Sequence, residues 1–219
     1  MPVTEYYLIG SITVPSNWVA LIVGFLVAYI AIRKRYGKQL AERFSDAVFY
    51  IIIIWKLSVV ITDFSTVIKA PMAIVYFNGG MIGFCLGLVF VALRLLLDVR
   101  KERLDTSGVI GLFMGAVVVQ AVYQVMMALL NDGGLVPKIV TAIGFLSLVV
   151  YLWIVAKKTE ENSILLPILF MAVHFFVATL QPRGLTDSSF FVSMSIGLFF
   201  IVLFWRMNAK VMKRRESFE

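Results

Sequence analysis

Residues 74–85 read IVYFNGGMIGFC, and the reading of this stretch decides what kind of chain this is. Polar Asn78 and the adjacent Gly79 and Gly80 open an apolar run that continues to Leu97 with Arg94 as its one charge. Glycine excludes a side chain and tolerates positive φ, so the pair marks either a helix start or a place where something approaches the backbone closely. The run itself has about the 20 residues needed to cross a bilayer.

Several such runs recur. The chain of 219 residues is 61% hydrophobic and 15% charged, with a mean hydropathy of +0.94. A soluble domain is about half apolar and a quarter charged, so a polytopic membrane protein is expected. The opening MPVTEYYLIGSITVPSN has no basic region before its first apolar run, so no cleavable signal peptide is expected. The single cysteine, Cys85, excludes an intrachain disulfide and reads as a small buried packing residue.

Seven spans are expected, at about 12–32, 46–62, 79–97, 108–130, 139–156, 164–181 and 189–205, in one transmembrane domain covering 1–219. The connections RKRYGKQLAER, DVRKERLD, AKKTEENS and RMNAKVMKRRE hold 15 Lys and Arg. TDFSTVIKAP, NDGGLVPK and QPRGLTD hold three, Lys69, Lys138 and Arg183. The positive-inside rule makes the first set cytoplasmic, with the N-terminus outside and the C-terminus inside. The net charge of +7 is thus accounted for by juxtamembrane anchors that attract anionic headgroups, and nucleic acid is not an expected partner. Backbone in lipid must satisfy its own hydrogen bonds, so the spans are helices and the fold class is all-α. Gly83 with Gly87 and Gly111 with Gly115 have the four-residue spacing of small residues that lets helices approach closely.

Ionisable and amide side chains inside spans are costly and mark partners or cavities. Lys56 interrupts IIIIWKLSVV near the middle of the second span, either facing a polar cavity or anionic headgroup, or paired with a neighbouring helix or reaching the outer interface. Arg94 is expected to snorkel toward the cytoplasm. His174, the only histidine, is the candidate general base or a neutral imidazole with one hydrogen-bonded neighbour. Gln120 and Gln124 share a helix face beside Tyr123, either as interhelical glue or as a cavity lining. No HExxH, CxxC, phosphate loop or GxSxG elbow is present. One His and one Cys make no metal cluster, and neither metal nor cofactor is expected.

FNGGMIGFCLG resembles the EGGMSFHGGLLG-type stretch of bacterial prolipoprotein diacylglyceryl transferase. That membrane enzyme family moves a diacylglyceryl group from phosphatidylglycerol to a prolipoprotein cysteine. IGSITVPSNWVALIVGFLVAYIAIRKR resembles the family's first span, IWKLSVV stands in the place of its GARLGY-type motif, and LTDSSFFVSMSIGLFFIVLFWR resembles its last span. The resemblance covers most of the chain in the right order.

The departures fall on the family's chemical residues. Val19 stands where the family has tyrosine, Lys56 and Gln120 where it has arginines, Tyr123 where it has asparagine, and Phe84 where it has histidine. In HFFVATLQPR, His174 and Gln181 stand at two arginines and Ala178 at the glutamate, with Arg183 two residues on. Phosphate is best held by the planar fork of arginine, and loss of such a cation from a low-dielectric site costs on the order of a hundredfold in rate.

The resemblance therefore implies a transferase-like membrane protein of the bacterial plasma membrane with catalysis lost or altered. It would bind phospholipid, phosphatidylglycerol in the family's case, or a lipoprotein or other membrane partner. The residues it assigns to the headgroup are Lys56, Gly79, Gly80, Gln120, Tyr123, Gln181 and Arg183, with His174 as the catalytic candidate. The alternatives are an active transferase with a rebuilt phosphate site, and a small-solute transporter or membrane partner of a redox or envelope protein.

Overall fold

A computed structural model describes residues 2–10, 12–72, 74, 77–156 and 163–216. Residues 157–162 of the basic connection AKKTEENS, and Val75 and Tyr76 of the opening stretch, lie outside the described residues. The chain is all-helical in class, 82% helix, and among the described residues six helices are long and apolar enough to cross a membrane. This is the pattern of a multi-pass membrane protein. The chain divides into two compact units, one of Met1–Gly37 with Thr106–Glu219 and one of Lys38–Asp105.

The first unit begins with a feature the composition concealed. β1 (Tyr6–Ile9) pairs antiparallel with β2 (Ile12–Pro15), Tyr7 opposite Val14 and Leu8 opposite Thr13. The first helix is therefore α1 (Ser16–Tyr36), four residues later than the expected start at 12, because 12–15 are strand. Its last turn carries Arg33, Lys34 and Arg35, cations that the negative end of the helix dipole favours.

The remaining helices of this unit are α6 (Thr106–Leu130), α7 (Leu135–Val155), α8 (Leu165–Leu180) and α9 (Ser188–Glu216). α6 is central: 61% of its apolar window is buried, against at most 33% for any other candidate span. It packs antiparallel to α1, where Gly24 lets the Val119 carbonyl come within 3.1 Å of the place a Cβ would occupy. Gly111 and Gly115 are buried on the same helix. Phe113 anchors the core, edge-on to Phe170, Phe200 and Phe204. α8 has 16 residues, about 24 Å at 1.5 Å per residue, and is shorter than the other apolar helices.

α1 and α7 are also tied at the ends away from the hairpin. Arg35 Nη1 donates to the Trp153 carbonyl, and its guanidinium stacks 4.5 Å from the Trp153 ring centroid.

In the second unit, α2 (Lys38–Leu57) starts eight residues before the expected 46 and leaves only Gly37, at φ 91°, between two helices. Most of RKRYGKQLAER is thus helix rather than connection. Lys56 consequently sits in the last turn of α2, about 27 Å along the axis from its start, not near the middle of a span. Short helices α3 (Val59–Thr62) and α4 (Phe64–Lys69) follow, then α5 (Gly80–Arg100).

α2 and α5 pack antiparallel along a glycine seam. A Cβ at Gly79 or Gly83 would overlap Ser58 Oγ, and one at Gly87 would lie 3.0 Å from Ile51 Cα. Gly79 N–H donates to the Trp55 carbonyl at 3.0 Å. Gly80 has a different reason to be glycine: its φ is +57°, and its N–H donates to Asn78 Oδ1 at 2.9 Å. The glycine pair is thus both a close approach and a helix start.

At the other end Asp98 pairs with Arg43 at 3.5 Å and Arg103 at 3.9 Å. Arg94 lies over the Tyr50 ring at 4.5 Å, so an aromatic face adds to the snorkelling expected of it. Cys85 is exposed rather than buried, because a membrane helix turns apolar side chains outward to lipid as well as inward.

Candidate functional site: a neutral polar cluster among α6, α7, α8 and α9

Gln124 lies six residues before the end of α6 and His174 six before the end of α8; Thr141 lies six after the start of α7. At 1.5 Å per residue each is about 9 Å from a helix end. Alternating chain direction makes these one level of the bundle. Gln181, the first residue after α8, and Ser189, the second of α9, close the cluster from that end.

The hydrogen bonds run through Gln124. Its amide N–H₂ donates to Ser189 Oγ at 2.8 Å and meets His174 Nε2 at 3.4 Å. Its carbonyl oxygen accepts from Gln181 Nε2 at 3.1 Å, and the same Gln181 nitrogen donates to Thr141 Oγ1 at 3.1 Å. Asp187 caps the start of α9, its Oδ1 accepting from Ser189 N–H at 3.1 Å, which fixes the serine's position. Gln124, Thr141 and His174 are fully buried, and Gln181 nearly so.

Among the described residues, Gln120 Nε2, His174 Nδ1 and Gln181 Oε1 are buried in or beside the cluster without a hydrogen-bond partner. An amide N–H₂ can only donate, so this contact requires a neutral imidazole with the lone pair on Nε2. The imidazole is walled by Phe145, Phe190 and Phe170 at 5.1, 5.6 and 6.5 Å between centroids. The nitrogen that would take a proton from a nucleophile faces an amide instead. The cluster is built of amides, hydroxyls and one imidazole, all groups that give and take hydrogen bonds.

The residues singled out in the sequence separate accordingly. His174 and Gln181 are brought together through Gln124. Tyr123 packs against Ala20, Met127 and Ala128 and lies in the field of both Asp187 and Arg183. Arg183 is exposed. Gln120 is buried one turn from Gln124 without a partner for its Nε2. Lys56, Gly79 and Gly80 belong to the second unit, where Lys56 is half-buried and the glycines have the backbone roles given above.

The sequence offers Gln120 and Gln124 alike as interhelical glue or cavity lining, and the structure bonds Gln124 alone to residues of the neighbouring elements. Thr141 and Ser189 carried no signal, since hydroxyls in apolar helices ordinarily bond their own backbone.

A second polar hub stands at the same end of the bundle. Asn131 Oδ1 accepts from Ser16 Oγ at 2.7 Å, Thr4 N–H at 2.8 Å and Glu5 N–H at 3.2 Å, and its Nδ2 donates to the Met127 carbonyl at 3.1 Å. It holds the hairpin to the end of α6.

No protein-family model matches the chain, and comparison with curated proteins and with solved structures finds no match.

Proposed function

We propose that the chain is a seven-span protein of the bacterial plasma membrane, N-terminus outside and C-terminus cytoplasmic, on a scaffold resembling prolipoprotein diacylglyceryl transferase. Its role is to bind a phospholipid, phosphatidylglycerol first among them, or a lipidated envelope partner, with the transfer chemistry lost or altered. α8 is the sixth span in chain order and brings the number to seven: its shortfall against a hydrocarbon core of about 30 Å falls beside the polar cluster, where hydrogen-bonding groups replace apolar length. The skew of Lys and Arg toward one set of connections supports the orientation.

The observation that carries the binding reading is the buried Gln124–His174–Gln181 network with unpartnered atoms on His174 and Gln181. Buried polar groups in a membrane are expensive and mark functional positions. Exposed Arg183, two residues after Gln181 in the chain, supplies the cation a phosphate headgroup needs. The imidazole's engagement with an amide, and the alanine at 178, favour recognition over transfer.

Native mass spectrometry of the purified protein tests this. Retained phosphatidylglycerol that is reduced in Gln181→Ala and Arg183→Ala supports the reading. A protein that carries no lipid, or carries it equally in both variants, overturns it. Restoration of prolipoprotein lipidation in a transferase-depleted strain would return the active-enzyme alternative.

A further inference from the structure

The hairpin raises a question that the polar cluster does not answer: what covers it. Tyr6 is 61% exposed and Leu8 75% exposed. Residues opposite each other in an antiparallel pair point to the same side, so Leu8 with Thr13 and Tyr6 with Pro15 form one open face. No charged residue occurs between Glu5 and Arg33. A lone two-stranded hairpin is marginal in water. Here its base is pinned, by Ser16 N–H donating to the Glu5 carbonyl at 3.0 Å and by the donors of Thr4, Glu5 and Ser16 gathered on Asn131 Oδ1.

The hairpin leads without a break into a helix that carries an exposed apolar stripe. Trp18, Ile22, Leu26 and Ile30 are exposed at four-residue intervals along α1, one face of a helix apolar enough to cross the membrane. Tyr6 and Leu8 precede Trp18 in the chain, on the strand that leads through β2 into α1. Tyr and Trp concentrate at the membrane–water boundary, where an apolar ring and a polar tip are both accommodated. The two strands have open edges, and open sheet edges are not tolerated in hydrocarbon. Headgroups and their water can satisfy those edges while taking up the apolar side chains.

We propose that the hairpin of residues 6–15 lies in the interfacial layer of the lipid surface, with its Tyr6–Leu8 face among the headgroups, as an anchor that sets the depth of α1. This stands whether or not the polar cluster binds lipid.

The test uses the full chain in phosphatidylethanolamine–phosphatidylglycerol vesicles, with Cys85→Ala as background. Nitroxide labels are placed at Leu8→Cys, at Leu26→Cys on the lipid stripe and at Asp132→Cys in the connection after α6. Collision rates with oxygen and with a water-soluble nickel chelate report depth. The expected oxygen-to-nickel ratio at position 8 lies between the other two and is several-fold above that at 132. A ratio equal to that at 132 places the hairpin in water and overturns the proposal. Low collision rates with both reagents would mean a protein partner or a second copy covers the face, and would also overturn it. An unchanged melting temperature of each labelled protein certifies the fold, and Tyr6→Cys repeats the measurement should Leu8→Cys fail that criterion.

Discussion

The Ser16 hydroxyl donates to the Asn131 side-chain oxygen at 2.7 Å, joining the first residue of α1 to the residue that follows α6 across 115 positions of sequence. The same oxygen takes the Thr4 and Glu5 amides. Asn131→Ala should therefore cost more than a single hydrogen bond, about 1–3 kcal/mol for each buried group left unpaired. Faster hydrogen exchange at Thr4 and Glu5, with a lower melting temperature in detergent, is the expected result. Unchanged exchange at both amides would show that the hairpin is held by something else.

Gly83 should not tolerate a side chain. Gly83→Val drives a methyl group into Ser58 Oγ and toward the Trp55 carbonyl, which lies 3.0 Å from the Cβ position. Overpacking of this kind costs about 1–3 kcal/mol. Ser58→Gly in the same chain should recover part of it, so the double variant is more stable than the sum of the singles. Additive losses in denaturant titrations would mean that the two residues do not share the space.

Gln120 and Gln124 look alike in sequence and should behave differently. Gln124→Leu removes three side-chain bonds, a loss of about 2 kcal/mol at roughly 0.6 kcal/mol per interhelical bond in a membrane. Gln120→Leu removes a buried Nε2 with no partner and should leave stability within about 0.5 kcal/mol of the parent, or raise it. Thermal melts of the two variants side by side decide the matter, and equal losses would contradict the hub role of Gln124.

Arg35→Lys should not behave as a conservative change. Lysine keeps the charge but loses the planar fork that stacks on Trp153 while donating to its carbonyl. A loss of about 1 kcal/mol is expected, close to that of Arg35→Ala. Full stability in the lysine variant would reduce the contact to simple charge.

The apolar runs made the helices legible, and the glycine spacing foretold the α2–α5 seam at Gly83 and Gly87. The hairpin was hidden because YYLIGSITVP is as apolar as the span it precedes. The start of α2 was missed because KQLAERF is polar yet helical, so hydropathy marked the edge of the apolar run and not the edge of the helix. That error alone moved Lys56 from a helix end to the middle of a span. Cys85 was read as buried by a rule that holds in water, where apolar means inside; against lipid an outward thiol is equally at home. The pairing of Gln124 with His174 and Gln181 joins positions 50 and 57 residues apart, and no local spacing announces it.

His174 is the only imidazole in the chain, and it stands in the hydrogen-bonded cluster rather than at a surface. The protein therefore contains a built-in spectroscopic reporter. With nitrogen-15 introduced at histidine alone, the spectrum holds a single pair of ring resonances, and their tautomeric signature reads the Gln124 contact directly, without a probe or a substitution. Any lipid, partner or helix movement that reorients the Gln124 amide would register there as a change at one nitrogen.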